Sequence, residues 1–252
     1  MNLLPATPHT PFLLASDLDG TLLGDETGEA RLKAFAERYS ASFRLAYVTG
    51  RYRHSVLDLI ARGRLPRPDY IFSDVGTELL DLNDPENRLG QKYAAQVEPG
   101  WNLEAIYAQG TGEGVWPQDF PQGQPRFQAG FFWDGRPETL EAFYARMGQA
   151  HGWNIFPSYG EYLDVLPGPL GKGNAVRFLQ AELGVEAERV IVAGDAGNDC
   201  QMFATGFKGV IPVNALDELK TFACQPWHYH SPHPAALGVL DGLRHFGFLA
   251  PG

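Results

Sequence analysis

Short apolar runs alternate with stretches of helical spacing along the first third of the chain. Phe12 to Ala15 is a run of strand length, and it breaks at Ser16-Asp17, where the chain goes on to Gly20-Thr21. Leu32, Phe35, Ala36 and Tyr39 then fall at i, i+3, i+4 and i+7, which predicts one buried face of a helix. Phe43 to Val48 reads as a second strand and ends in Thr49-Gly50-Arg51. Val56, Leu59 and Ile60 mark a second helix, stopped by Gly63. Asp69 to Val75 reads as a third strand, preceded by Pro66 and Pro68. Strands and helices in this order predict a parallel sheet with right-handed crossovers.

The pattern changes after Leu80. Residues 81–124 are rich in Gly, Pro, Asn and Gln, with one short helix expected near Trp101 to Gln109. A strand is expected at Phe127 to Trp133. A helix follows from Pro137 to Ala150, with proline at its start and His151-Gly152 at its close. Two short strands are expected near Trp153–Phe156 and Tyr162–Leu166. Alternation returns with a helix from Lys172 to Leu183 ended by Gly184, a buried strand Arg189–Ala193, a strand Lys208–Val213 and a final helix Ala235–Phe246. The expected fold is α/β: a doubly wound, Rossmann-like parallel sheet from residues 1–81 and 166–252. A small α+β domain is inserted at 82–165, with hinges at Leu80–Leu82 and Leu166–Gly168.

Composition narrows the class. The chain has 252 residues, enough to bury a full core, and 44% hydrophobic with 20% charged residues is ordinary for a globular protein. A net charge of −10 with no basic stripe argues against a nucleic-acid partner. No run approaches the ~18 apolar residues of a membrane span. Met1 to Thr10 has no basic region of a leader, and the two cysteines, Cys200 and Cys224, make no disulfide framework. A cytoplasmic location is expected, with a monomer as the default.

The candidate chemistry lies at the carboxyl ends of the predicted strands, where ligands bind in open parallel sheets. Asp17 and Asp19 follow the first strand. Thr49-Gly50-Arg51 follows the second, Lys172 opens a helix, and Gly194-Asp195-Ala196-Gly197-Asn198-Asp199 follows a later strand. Each piece has a plain structural reading: a solvated acidic turn, a helix cap at Thr49, a solvated loop lysine, a calcium-type turn. Together they place one hydroxyl, one lysine and four carboxylates in one crevice. Like charges that converge cost stability unless a cation sits among them, and a hard divalent cation with a phosphate suits such a site.

In that order, DLDGT, the Thr49-Gly50-Arg51 turn, Lys172 and GDAGND resemble the four motifs of haloacid-dehalogenase-type phosphatases. An insertion between the second and third motifs resembles their C2 cap subclass. DYIFSDVGTELL, YLDVLPGPLGKG, GDAGNDCQMF, GVIPVNALDEL and GVLDGLRHFGF resemble the sucrose-phosphate phosphatase family over nearly the whole chain. The resemblance implies Asp17 as nucleophile and Asp19 as general acid and base. It implies Thr49, Gly50, Lys172 and Asn198 at the phosphate. It implies Mg²⁺ at Asp17, Asp195, the Asp19 carbonyl and the supporting Asp199.

The sugar is expected on the insertion, where Trp101, Trp116, Gln118, Gln128 and Trp133 offer planar polar groups and aromatic faces. Trp133 also reads as an inward strand residue, and Glu78 is a candidate at the crevice mouth. Gln128 stands where relatives tend to carry a lysine, which keeps disaccharide phosphates other than sucrose 6-phosphate open, mannosylfructose phosphate among them. His228, His230 and His233 have no metal-site spacing and read as solvated imidazoles on a turn or edge strand. The expected activity is hydrolysis of sucrose 6-phosphate. The alternatives are another disaccharide phosphate, a sugar phosphomutase, or a non-catalytic sugar-phosphate-binding protein.

Overall fold

The computed structural model describes residues 11–97, 101–121, 123–148, 152–158 and 160–249. The leader reading of Met1 to Thr10 falls outside them. The core runs β1 (Phe12–Ser16), α1 (Glu26–Tyr39), β2 (Phe43–Val48), α2 (Arg53–Ala61), β3 (Tyr70–Ser73), β4 (Glu78–Asp81) and α3 (Arg88–Ala94). The insertion runs α4 (Leu103–Gly110), β5 (Val115–Pro117), β6 (Ala129–Trp133), α5 (Pro137–Met147), β7 (Trp153–Ser158) and β8 (Tyr162–Pro167). The core resumes with α6 (Lys172–Leu183), β9 (Val190–Ala193), α7 (Cys200–Phe203), β10 (Lys208–Ile211), α8 (Asp217–Phe222), β11 (His228–His230) and α9 (Ala235–His245).

Seven strands form the core sheet in the order β11-β10-β9-β1-β2-β3-β4, parallel except for the β3–β4 hairpin. β1 lies at its centre, paired with both β2 and β9. It is buried on both faces, which is why its sequence is a continuous apolar run. Leu13 and Ala15 join one hydrophobic cluster and Phe12 and Leu14 the other. This is the doubly wound α/β architecture that the alternation predicts.

Local signals set the element ends. The Asp25 side chain accepts from the Gly28 amide at 2.6 Å and caps α1. Gly184 ends α6 in the left-handed conformation, φ 61°. Gly148, at φ 67°, ends α5 at Met147, before the expected Ala150. Ala150 and His151 lie outside the described residues.

The four-stranded antiparallel sheet of the insertion has the order β5-β6-β8-β7. Ala129, Phe131 and Trp133 of β6 and Leu163 and Val165 of β8 pack with Ile106, Phe143 and Met147 from α4 and α5. The intervening residues, Gln128, Gly130 and Phe132 with Tyr162 and Asp164, take the face turned away from α4 and α5.

One boundary moves. Helix α3 lies inside the insertion expected at 82–165, yet it packs on β4 and sends Tyr93 into the buried cluster of the core. The Tyr93 hydroxyl donates to the Gly76 carbonyl at 2.9 Å. Helix α3 therefore packs with the core, although the insertion is expected to begin at 82. Its apolar edge, Leu89, Tyr93, Ala94 and Val97, is short and set in a stretch rich in Gly, Asn and Gln, so the overall pattern does not single out this helix.

Candidate active site

β1 delivers Asp17 and Asp19 to the carboxyl end of the sheet. The Asp17 amide donates to the Ala193 carbonyl at 3.0 Å, fixing the turn to the neighbouring β9. Gly20, at φ 75°, makes the next bend. A Cβ there would lie 2.3 Å from Asp195 Oδ2, so only glycine lets the two carboxyl-bearing turns meet. Thr21 Oγ1 donates to Asp195 Oδ1 at 2.9 Å, and Asn214 Nδ2 donates to the Gly20 carbonyl at 2.7 Å.

Lys172 sits at the centre of the site. It is fully buried at the first turn of α6, not a solvated loop lysine. Its Nζ donates to Asp17 Oδ1 at 2.7 Å, Asp199 Oδ1 at 2.6 Å and Asn198 Oδ1 at 3.2 Å. Gly76 brings the loop after β3 so close that a Cβ would lie 2.7 Å from the Lys172 amide. An ammonium out of water costs several kcal/mol unless it is fully paired, and here all three of its protons have acceptors.

Asp199 organises the turn after β9. Its Oδ2 accepts from the amides of Asp195 and Ala196 at 2.9 and 3.1 Å, while Oδ1 takes Lys172. Asp17, Asp195 and Asp199 are all buried, with carboxylate oxygens within 4.8 Å of one another. Three carboxylates against one ammonium leave two negative charges uncompensated. Burial and the neighbouring Asp199 push the Asp195 carboxyl up to about 7, against the pull of Thr21 and Lys172. Burial, opposed by Lys172 and reinforced by Asp199 and Asp195, likewise raises Asp17. Against its own burial, Lys172 is held charged by Asp17 and Asp199. A hard divalent cation fits this oxygen donor set and its charge deficit.

Asp19 stands at the edge of the same site. Arg51 grips it as a fork, Nε to Oδ2 and Nη2 to Oδ1, both at 2.7 Å. Thr49 is buried, and its Oγ1 accepts from the Arg51 amide at 3.2 Å. It is not the cap of α2, whose N-cap position is Tyr52. Gly50 is exposed beside it, with open space where a side chain would stand.

The insertion candidates separate. Gln128 is buried, and its Nε2 donates to Asp164 Oδ1 at 2.7 Å. Gln118 donates to the Phe131 carbonyl at 3.0 Å. The Trp101 indole donates to the Arg126 carbonyl at 2.9 Å and lies edge-on to Trp153, packed between core and insertion. Trp133 points inward, as one of its two readings has it. Glu78 pairs with Arg53 at 2.6 Å and lines a cleft of about 260 Å³ beside α3, with Gln91 and Arg126. His228 and His230 lie on the edge strand β11; His230 is exposed, while His228 is half-buried and so less solvated than expected.

Asp164, Asp74 and Asn214 are not among the site residues expected from the sequence, and Arg51 enters there only as the end of the Thr49-Gly50-Arg51 turn. Asp74 has a signal in SDVGT, the turn after β3. Asp74 and Val75 both take positive φ, 53° and 58°, and their amides donate to the carbonyls of Arg51 and Thr49. Burial raises the Asp74 carboxyl to about 6, against the Ser73 hydrogen bond.

With this geometry in view, comparison with known proteins is decisive. The Sucrose-6F-phosphate phosphohydrolase family profile matches residues 10–247. The chain belongs to that family. It is a phosphoric monoester hydrolase of the haloacid dehalogenase superfamily, and its substrate is a phosphorylated sugar. It is similar to the sucrose-phosphatase of Synechocystis sp. PCC6803, solved in complex with sucrose and phosphate. That match has 32% identity and a TM-score of 0.86, covering 96% of this chain and 100% of that one. The mannosylfructose-phosphate phosphatase of Agrobacterium fabrum is 32% identical over 93% of this chain and 96% of its own length. The glucosylglycerol-phosphate synthase of Pseudomonas anguilliseptica is 33% identical over 94% of this chain, which spans only 31% of that protein.

Proposed function

We propose that this enzyme hydrolyses a disaccharide phosphate, sucrose 6-phosphate first among the candidates, through an aspartyl-phosphate on Asp17. The observation that carries the reading is the Asp17–Lys172–Asp199 chain of buried charge, which orients one carboxylate oxygen and leaves Asp17 Oδ2 without a hydrogen bond among the described residues. That oxygen is the nucleophile: it forms a bond to phosphorus as the bond from phosphorus to the sugar oxygen breaks. Asp19 delivers the proton to the leaving oxygen and later takes one from the hydrolytic water. Both of its oxygens are engaged by Arg51, so proton delivery requires Arg51 to let go. Thr49, Gly50 and Lys172 hold phosphoryl oxygens, Lys172 by giving up its longest bond, the 3.2 Å one to Asn198.

Mg²⁺ would be held by Asp17 and Asp195 with the Asp19 carbonyl. Asp199 supports them, because its oxygens are already engaged by Lys172 and the turn amides. When bound, the ion supplies charge stabilisation on the phosphoryl oxygens. The insertion acts as a cap that excludes water while the sugar leaves.

A second reading, a different disaccharide phosphate such as mannosylfructose phosphate, is favoured by Gln128 and by the 32% identity to the Agrobacterium enzyme. Phosphate release from a panel of mono- and disaccharide phosphates, with Mg²⁺ and with EDTA, tests both. Release from sucrose 6-phosphate only with Mg²⁺ supports the first reading. Conversion without free phosphate would mean a mutase, and inactivity on every ester a non-catalytic binder.

A further inference from the structure

Two guanidinium groups on the α1–α9 side of the core hold nothing. Of the fifteen arginines, thirteen engage another side chain, a carbonyl or an aromatic ring. The other two are Arg31 of α1 and Arg244 of α9. Neither side chain has a hydrogen bond, ion pair or ring contact among the described residues. Both border the same niche, of about 70 Å³, and the third polar group on its rim is His233. The His233 ring likewise has no partner among the described residues. All three side chains are exposed, while Leu237 and Leu240 form the apolar wall between them.

Packing brings these groups together. Leu32 and Phe35 of α1 share a buried cluster with Ala236, Val239, Leu240 and Leu243 of α9, so the two helices lie side by side. Leu237, Leu240 and Arg244 fall at i, i+3 and i+7 and line one edge of the groove. Arg244 belongs to the segment GVLDGLRHFGF, which supplies nothing to the catalytic site. The carboxylate one turn before it, Asp241, is engaged by the hydroxyls of Tyr229 and Ser231 at 2.9 and 2.7 Å. In a chain with 30 acidic and 20 basic residues, cations that meet without a carboxylate run against the average composition.

The start of α9 also touches the catalytic turn. The Val213 amide donates to the His233 carbonyl at 3.0 Å. Asn214 Oδ1 accepts from the Ala235 amide at 2.8 Å, and its Nδ2 donates to the Gly20 carbonyl at 2.7 Å. One short segment therefore links the rim of the niche to the residue that follows Asp19.

We propose that Arg31, Arg244 and His233 form a second oxyanion site, apart from the catalytic one. It binds inorganic phosphate, the product that every turnover releases, and reports it to the catalytic turn through Asn214. Two guanidinium forks match phosphate oxygens, and the imidazole adds a ring N–H. The niche has about twice the ~30 Å³ share of a water in the liquid, which suits a compact oxyanion and leaves no room for a sugar ring. A nucleic acid or a membrane surface would need a basic stripe, and the chain has none. Exposed cations are screened by salt, so binding is weak and falls as ionic strength rises.

The test is a calorimetric titration of inorganic phosphate into the full chain with Mg²⁺, repeated with the double variant Arg31→Ala, Arg244→Ala. The wild type is expected to show two classes of site. The second should have a Kd on the order of 1 mM that weakens at least about threefold between about 20 and about 200 mM NaCl. The double variant should keep one class and hydrolyse p-nitrophenyl phosphate within about twofold of the wild-type rate when phosphate is absent. Two classes in both proteins, or one class in both, would overturn the site. Phosphate inhibition of the wild type should keep a part that saturating p-nitrophenyl phosphate does not relieve, and the double variant should lose it. Purely competitive inhibition of the wild type would overturn the link through Asn214. Glucose 6-phosphate should displace phosphate from the second class at least about tenfold less well than sulfate does; equal displacement would overturn product phosphate as the occupant. Arg31→Lys, Arg244→Lys retains both charges without the forks and should weaken the second class only about three- to tenfold. A loss as large as that of the alanine pair would trace the effect to the arginine stems and overturn the charge-based site.

Discussion

The core and the cap hold their polar groups by different means. In the core, buried side chains from the ends of β1 and β9 and the start of α6 converge around Lys172, each bonded to another. In the cap, two neighbouring strands supply one pair, Gln128 and Asp164, from the open face of a small sheet. Removing Lys172 would leave two buried carboxylates unmatched, whereas a change at Gln128 touches a single hydrogen bond to one carboxylate. The core site is thus the more tightly constrained of the two by electrostatics.

The largest effect expected of that contrast is on Asp17. Asp17→Asn should cut phosphate release by roughly 10⁴-fold or more with every ester, sugar or not. It should also abolish the phosphoenzyme trapped by acid quench; retained turnover would remove Asp17 as nucleophile. Lys172→Ala comes next, because it strands Asp17 and Asp199 together. It should lower unfolding stability by about 3–5 kcal/mol in urea titrations without metal, with part of the loss restored by Mg²⁺. A loss below about 1 kcal/mol would show that water, not the ammonium, satisfies these carboxylates.

Metal separates the two regions further. Mg²⁺ should stabilise the metal-free protein, and Asp195→Asn should reduce that gain by on the order of 2 kcal/mol, while D164N leaves it unchanged. An equal response of the two variants would contradict a site confined to the core.

The cap has its own pH signature. Burial raises the Asp164 carboxyl from 3.8 to about 6, against the Gln128 hydrogen bond and the charge of Lys172; Tyr52 and Tyr107 also face it. The folded state therefore holds a proton that the unfolded chain has already released between about pH 4 and 6. Stability from this group falls as pH rises through that window. The wild type should lose on the order of 2 kcal/mol more than D164N over that range in paired denaturant titrations. Identical slopes would mean that Asp164 is solvated.

Gln128→Lys is the smallest perturbation. The new ammonium would pair with Asp164 in place of the amide. It should shift relative kcat/KM among disaccharide phosphates by about tenfold, leaving p-nitrophenyl phosphate unaffected. Unaltered ranking across the panel would dismiss position 128 as a determinant.

Much of this division could be read along the chain. The buried strand Phe12–Ser16, the helical spacing of Leu32 to Tyr39 and the glycine stop at Gly184 all appear as expected. Asp17 and Asp195 meet because the adjacent parallel strands β1 and β9 bring their carboxyl ends to one edge, a rule that needs only strand order, and the start of α6 adds Lys172. Helix α3 escaped because its apolar edge, Leu89, Tyr93, Ala94 and Val97, is short and set among Gly, Asn and Gln residues.

What the sequence by itself determined is the chemistry: contiguous motifs at strand ends, whose convergence follows from topology. Only the tertiary structure decided how those groups are restrained. Arg51 closes on Asp19 across 32 positions, and Gln128 meets Asp164 across 36. Lys172, which reads as a loop lysine in isolation, becomes a fully buried cation. Such pairings depend on register and on which face a side chain takes. A one-residue shift would reverse that face, and no local pattern encodes it.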